Sequence, residues 1–162
     1  MRLLCKILTV MLLVSVAACS DNYKEGKNYQ QVSDDDAAMN AAIEMAKTTS
    51  NVFLKAFHEQ KPGTKGFYVK KPYRTPLGGF EHMWIEITSE NAGVLNGTVA
   101  NEAEETREVK IGQKVALKIN EISDWKYIDG KKLIGGYTIR NFYDKMNTQE
   151  KADFLKESGF EM

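Results

Sequence analysis

Short runs rich in β-branched and aromatic residues, separated by turn signals, dominate the chain after Gly66. Regular spacing of such runs is typical of an antiparallel sheet that curls. Asp129-Gly130 lies between the last two runs and predicts a two-residue hairpin, because both central positions of a type I′ turn need a positive φ. The six predicted strands span residues 67–70, 80–88, 94–100, 114–119, 125–128 and 131–140.

Helical patterns flank these strands. Residues 33–36 supply cap-forming and acidic side chains suited to a helix N-terminus, and Pro62 and Gly63 end the helix. Asn147, with Glu150 three residues later, forms a capping box that opens a short second helix. Phe154 and Leu155 are expected to be buried by that helix. The first helix is expected to bury one stripe, formed by Met39, Ile43, Ala46, Ser50, Phe53 and Phe57.

These patterns together predict one α+β domain. A long N-terminal helix packs on a curved antiparallel sheet or a partly open SH3-like barrel of about six strands, and a short C-terminal helix follows. The barrel alternative rests on Gly112, which precedes the fourth strand as glycines do in small SH3-like barrels.

The first residues resemble an export signal. Arg2 and Lys6 precede the short apolar stretch 7–18, which is too short to span a bilayer. Val16, Ala17 and Ala18 lead into Cys19 and resemble the lipobox of bacterial lipoprotein signals. The predicted organisation is therefore a lipoprotein signal peptide at 1–18, a flexible tether at 19–32 and a single domain at 33–162.

In that family of signals, the cysteine receives lipid and becomes the first residue of the mature protein. We therefore expect lipidation at Cys19, export, and attachment to the cell envelope through acyl chains, which together hold a protein firmly on a membrane. Ser20, where an aspartate would favour the inner membrane, indicates the periplasmic face of the outer membrane.

The charge balance gives no reason to expect nucleic acid as a partner. Removal of Arg2 and Lys6 with the signal leaves 22 − 2 = 20 basic side chains against 22 acidic ones. Nucleic-acid binding favours a strongly basic surface. Cys5 leaves with the signal and Cys19 carries lipid, so cysteine catalysis, thiolate metal sites and disulfides are excluded from the mature domain.

The second predicted strand offers the clearest candidate surface. Alternation places Met83, Ile85 and Ile87 on one face and His82, Trp84 and Glu86 on the other. The second set forms either a half-buried sheet face with Trp84 packed under the helix, or a recognition surface. Further candidates are Asp124, Trp125, Tyr137 and Arg140, of which the last two lie on the predicted sixth strand.

Each of these candidates also has a structural interpretation. Trp125 is typical of a core residue. Asp124 is suited to bonding nearby backbone in a turn, and Arg140 to pairing with a carboxylate. The binding hypothesis places His82, Trp84, Glu86, Asp124, Tyr137 and Arg140 in one partly exposed cluster.

The same stretches resemble a known family. EHMWIEI at 81–87, GTVANE at 97–102 and ISDWKYIDGKKLIGGYTIR at 122–140 are similar to segments of the DUF2314 family of bacterial proteins, which includes small lipoproteins. The likeness covers roughly residues 38–160. Ala103 stands where the family often has proline, and Lys126 where an apolar residue is common. The family has no established activity, so no catalytic residues carry over. Some members of the family occur near toxin systems, so the resemblance also allows an immunity role.

Familiar enzyme chemistries find little support. His58 and His82 are the two histidines of the chain, which cannot supply an HExxH pair or a three-histidine metal site. Phosphate-binding loops, dinucleotide fingerprints and a GxSxG elbow are lacking. No metal site and no cofactor are therefore expected.

We accordingly expect a non-catalytic binding or structural module that contacts an envelope protein or cell-wall material. The alternatives are an envelope hydrolase that uses Glu86 or Asp124 with His82, and an immunity protein against a secreted toxin.

Overall fold

The computed structural model describes residues 36–162. The predicted signal peptide, the tether and Cys19 lie outside the described residues, so those assignments stay predictions. The elements follow the chain in the order α1 (Ala37–Thr48), α2 (Ser50–Glu59), β1 (Thr64–Arg74), β2 (Phe80–Asn91), β3 (Val94–Val99), β4 (Lys114–Lys118), a 3₁₀ turn (Ile119–Glu121), β5 (Asp124–Asp129), β6 (Lys132–Gly135), α3 (Tyr137–Lys145) and α4 (Thr148–Ser158).

The predicted long helix is two helices. Asp36 caps α1 as expected, since its Oδ1 accepts from the backbone N–H groups of Ala38 and Met39 at 3.0 Å. The helical path breaks at Thr49, whose backbone leaves the α region and whose hydroxyl donates to the Met45 carbonyl at 2.6 Å. Such side-chain bonds to the preceding turn compete with regular helix. The predicted stripe is buried at Met39, Ala46, Phe53 and Phe57, and partly buried at Ile43 and Ser50.

The six strands form one open antiparallel sheet in the order β4-β3-β2-β1-β5-β6. The sheet does not close, and the predicted α+β class with a six-stranded antiparallel sheet is confirmed. β1 and β2 are the longest strands and lie in the middle. At the β6 edge, Lys132 forms a parallel bridge with Glu161.

The two faces of the sheet differ in chemistry. Val69, Ile85 and Trp125 pair across three neighbouring strands and are fully buried. The indole N–H of Trp125 donates to the Ala46 carbonyl of α1 at 2.9 Å, and its ring lies 5.9 Å from that of Phe53 on α2. The core therefore lies between this face and the first two helices.

The predicted sixth strand is wrong beyond Gly135. Gly135 and Gly136 both have positive φ, 72° and 63°, and the chain turns there from β6 into α3. A side chain at Gly135 would meet the Trp125 ring at 2.5 Å, so this turn requires glycine. Tyr137 and Arg140 are consequently helical, although β-branched neighbours in the sequence indicated a strand.

The hairpin between β5 and β6 is present, with a different turn from the one expected. Asp129 pairs with Lys132, so Gly130 and Lys131 are the central residues. Only Gly130 of these two has a positive φ, 62°, whereas the prediction gave Asp129 and Gly130 positive values.

The C-terminal helix begins with the predicted capping box. The Asn147 side chain accepts from the backbone of Gln149 and Glu150, and the Glu150 carboxylate accepts from the Asn147 N–H. Phe154 and Leu155 are only partly buried, and the Phe154 ring contacts those of Tyr143 and Phe160. No helix in the described part of the chain is long and apolar enough to cross a membrane.

Candidate functional site

The sheet face opposite the core carries aromatic and charged side chains. Strand pairing sets Tyr68 opposite Glu86 and Lys126, and Lys70 opposite Trp84. Glu86 is exposed and the other side chains are partly buried. The predicted alternation in β2 is confirmed, since Met83, Ile85 and Ile87 are buried on the other side. We call this surface the Trp84 face; it comprises Tyr68, Lys70, His82, Trp84, Glu86 and Lys126.

Two lysines converge on the indole ring at the centre of this face. The Nζ atoms of Lys70 and Lys126 lie 4.9 Å and 4.6 Å from the Trp84 ring centroid, a range in which cations are attracted to the ring. Burial lowers the pKa of Lys70 to about 8, with the neighbouring charge of Asp124 acting in the opposite direction. Burial also lowers the pKa of Lys126. Two partly desolvated cations therefore share one aromatic partner.

Tyr68 extends the aromatic surface. The Lys126 Nζ lies 5.2 Å from its ring centroid. Burial raises the pKa of Tyr68, and Glu86 adds to the effect through its charge and a side-chain hydrogen bond. Glu86 is thus tied to Tyr68 at one end of the face.

His82 is bonded to a serine of the neighbouring loop. Its Nδ1 lies 2.7 Å from the Ser123 Oγ, which also donates to the Lys70 carbonyl at 3.3 Å. Ser123 is only 2% exposed. The pair therefore fixes the start of β5 against β1 and offers no accessible hydroxyl for attack on a substrate.

Asp124 is a buried structural carboxylate. Its Oδ1 accepts from the backbone N–H groups of Trp125 and Tyr137 at 2.8 and 3.1 Å. Its Oδ2 accepts from the backbone N–H and the hydroxyl of Thr138 at 2.8 and 2.6 Å. Burial raises the pKa of Asp124, while the bonds from Thr138 and the charge of Lys70 oppose that rise. Asp124 holds the N-terminus of α3, and its exposed role in a binding cluster was a wrong expectation.

Tyr137 and Arg140 do not lie on the surface around Trp84 that we predicted for them. The Tyr137 ring packs edge-on against Trp125 at 5.8 Å. The Arg140 guanidinium donates to the carbonyls of Gly135 and Leu133 at 2.9 and 2.6 Å, instead of pairing with a carboxylate. Both side chains stabilise the junction between β6 and α3, because the helix that replaces the expected strand turns them away from a sheet face.

The predicted cluster is therefore brought together only in part. His82, Trp84 and Glu86 share a face, whereas Asp124, Tyr137 and Arg140 belong to the α3 junction. Lys70 and Lys126 were missed as site residues. The prediction of Trp125 as a core residue, combined with the alternation of a strand, was a sufficient signal to place Lys126 on the opposite face.

A third missed residue is Glu81, which is 2% exposed on the core side of β2. Its carboxylate accepts from three consecutive backbone N–H groups, of Glu104, Glu105 and Thr106, at 2.7 to 2.9 Å. Burial raises the pKa of Glu81, but these three donors outweigh burial and hold the pKa below its usual value. Glu81 thus anchors the acidic loop that follows β3.

The residues proposed for hydrolysis have separate partners. Asp124 is held at α3, His82 by Ser123, and Glu86 at Tyr68. A cleft of about 210 Å³ lies between α2 and the β5 end, and none of these three residues lines it. Residues 36–162 contain no group of three or more His, Cys, Asp or Glu side chains placed to hold a metal ion.

Comparison with known proteins adds family relationships. The family model described as "Uncharacterized protein conserved in bacteria (DUF2314)" matches residues 36–162. The chain is 34% identical over 105 residues to "Uncharacterized protein YegJ" of Escherichia coli (strain K12), which is 65% of this chain and 67% of YegJ. It is 30% identical over 73 residues to "Putative ankyrin repeat protein NMB1133/NMB1171" of Neisseria meningitidis serogroup B, which is 45% of this chain and 29% of that protein. No solved structure matches the chain.

Proposed function

This chain belongs to the DUF2314 family of proteins conserved in bacteria, and for this member we propose the function of a non-catalytic binding module of the cell envelope. In this proposal the lipid on Cys19 holds it at the periplasmic face of the outer membrane, and the Trp84 face contacts a partner protein.

One observation carries the proposal. The sheet has a face opposite its core, and that face holds a tryptophan, a tyrosine and two lysines in partly exposed positions. Aromatic side chains with a polar surround are enriched at protein interfaces and dominate their energetics. Solubility alone does not require partly buried cations beside an indole ring, because exposed charges serve it equally well.

The separate partners of His82, Glu86 and Asp124 favour binding over hydrolysis. General acid–base chemistry needs its groups within hydrogen-bond reach of one reacting atom. Asp124 already accepts four hydrogen bonds within the fold and is fully buried, so it has no capacity left for a substrate.

Site-specific crosslinking in living cells tests the proposed surface. A photoreactive phenylalanine analogue replaces Glu86, which is exposed on the Trp84 face, and the matched control replaces Asn51, which is exposed on α2. We expect a crosslinked adduct of defined mass with the Glu86 position and none with the Asn51 position. Adducts confined to the Asn51 position, or absent from both with protein at normal abundance, would contradict the proposal.

A further inference from the structure

We propose that the partner presents an acidic segment, one carboxylate of which lies between the ammonium groups of Lys70 and Lys126 beside the Trp84 indole. This inference rests on the proposed function, because it specifies the chemistry recognised by the same face. Charge complementarity carries this proposal, because neither Lys70 nor Lys126 forms a salt bridge within residues 36–162.

Lys126 shows the lack of a salt-bridge partner most clearly. Its ammonium lies beside the rings of Trp84 and Tyr68, at 4.6 and 5.2 Å. Within residues 36–162 no carboxylate approaches it closely enough for an ion pair. A cation removed from water without a charged partner costs free energy, and an incoming anion would offset that cost. The charge of Asp124 offsets part of the burial cost of Lys126, and a carboxylate in direct contact with its ammonium group would offset more.

Lys70 supplies the second charge. Its Nζ donates to the Thr138 Oγ1 at 3.1 Å, which uses one of the three donors of an ammonium group. Asp124 stabilises Lys70 through its charge, but both of its oxygens are occupied by donors of the α3 N-terminus. The Thr138 bond leaves two N–H donors on the Lys70 ammonium group, which lies beside the same Trp84 ring as that of Lys126.

The surroundings favour a carboxylate over a phosphate. Phosphates are commonly held by free N–H groups at helix N-termini or by the bidentate fork of arginine. The first N–H groups of α3 are occupied by Asp124, and the two cations recorded beside the Trp84 ring in residues 36–162 are lysines, not arginines. Two ammonium groups can each bond one carboxylate oxygen, while Trp84 and Tyr68 contact an apolar neighbour on the segment.

Glu86 determines the orientation in which the acidic segment binds to the Trp84 face. Its negative charge lies at the Tyr68 end and would repel a second acidic group there. The preferred segment therefore carries its carboxylate at the lysine end and an aromatic or aliphatic side chain towards Tyr68.

Fluorescence anisotropy with designed peptides tests this preference. The full chain, carried in nanodiscs of neutral phosphatidylcholine, is titrated into a dye-labelled peptide with one glutamate between two phenylalanines, and into its glutamine counterpart. We expect the glutamate peptide to bind about tenfold more tightly, with the difference shrinking as salt is raised. Lys126→Met should abolish the difference. Lys114→Met, at an exposed position on β4, should leave it unchanged.

A second readout separates binding from folding. Because Lys126 has no ion pair to lose, Lys126→Met should unfold at a urea concentration no lower than wild type. Equal binding of both peptides by wild type, a glutamate preference that survives in Lys126→Met, or tighter binding of a phosphoserine counterpart would each overturn the inference.

The crosslinking experiment distinguishes the two levels of the proposal. A crosslinked partner whose yield at position 86 is unaffected by Lys126→Met would leave the binding module in place and exclude the acidic segment. Peptide discrimination without any cellular adduct at that position would contradict the proposed function instead.

Discussion

Asp124 illustrates how far single residues could be assigned from the sequence. Its residue type indicated a bond to nearby backbone, and that interpretation is correct in kind. One partner, the N–H of Trp125, is adjacent, but two other backbone partners lie 13 and 14 residues away at the start of α3. No local pattern shows this, because the contact exists only when Gly135 and Gly136 reverse the chain. Lys70 was likewise absent from the predicted site residues, because only strand pairing places it beside Trp84.

We predict that Asp124→Asn lowers the free energy of unfolding by about 2–3 kcal/mol, because one carboxylate oxygen becomes an N–H donor that faces other donors. Urea denaturation followed by circular dichroism measures the change. Asp129→Asn, at an exposed position of the same strand, serves as the control and should differ little from wild type. An Asp124→Asn variant as stable as wild type would show that the cap contributes nothing.

Glu81 makes stability depend on pH. Its folded pKa lies below the ordinary value of 4.5, so its stabilising contribution is complete above about pH 4.5 and is lost as the pH falls through the folded pKa. We expect Glu81→Gln to be less stable than wild type at pH 7 by about 2 kcal/mol, and the gap to narrow below pH 4.5. Thermal unfolding between pH 3 and 7 tests this, with Glu86→Gln as an exposed control. A gap that stays constant across this range would contradict the assignment.

At the scale of elements, strands that alternate cleanly were predicted well and junctions were not. The β2 pattern of apolar and polar residues fixed both faces of that strand before any pairing was known. The helix break at Thr49 depends on a hydroxyl bond to the preceding turn. The change from β6 to α3 depends on two glycines that redirect the chain, and the strand-like composition of 131–140 concealed their effect. Length also misled, since β1 extends to 11 residues where the prediction had a run of four.

The turn between β2 and β3 offers a stabilising substitution. Ala92 and Gly93 are its central residues, with φ of 51° and 79°, the combination of a type I′ hairpin. Alanine adopts this conformation at a cost of about 1 kcal/mol, whereas asparagine tolerates it. Ala92→Asn should therefore raise the free energy of unfolding by up to about 1 kcal/mol.

The matched control is Ala116→Asn, on exposed β4 with ordinary strand conformation. It should be neutral or destabilising in the same urea titration, because asparagine is disfavoured in strands. Equal gains at both positions would exclude the turn conformation as the cause.

At the scale of the whole molecule, the α+β class and the antiparallel sheet followed from composition and spacing, whereas openness did not. Whether such a sheet stays open depends on whether its edge strands, β4 and β6, pair with each other. Both are predicted as ordinary strands, so the sequence pattern does not show whether they pair. The Trp84 face was predictable at His82, Trp84 and Glu86, since all three come from one strand. Its lysines come from two other strands, so they required the strand order.

The proposed attachment to the envelope is also tested on the whole molecule. We predict that Cys19→Ser moves the protein out of the membrane fraction or leaves the uncut precursor, because acyl chains on the cysteine hold it there. Labelling with an alkyne fatty acid, followed by fractionation, checks this. Cys5→Ser, a substitution inside the predicted signal, should retain label and location; label on the Cys19→Ser protein would contradict lipidation at Cys19.

The strand order has a kinetic consequence. β1 to β4 form a meander of successive neighbours, but β5 joins the free edge of β1 across some fifty intervening residues, as in the Lys70–Asp124 pair. Contacts between distant parts of a chain form slowly because a large loop must close first. During refolding we expect the four-stranded meander to assemble before β5, β6 and α3 dock. In that interval the β1 edge is unpaired and can pair with a strand of another chain. The risk of aggregation during folding therefore depends on how quickly β5 pairs with β1.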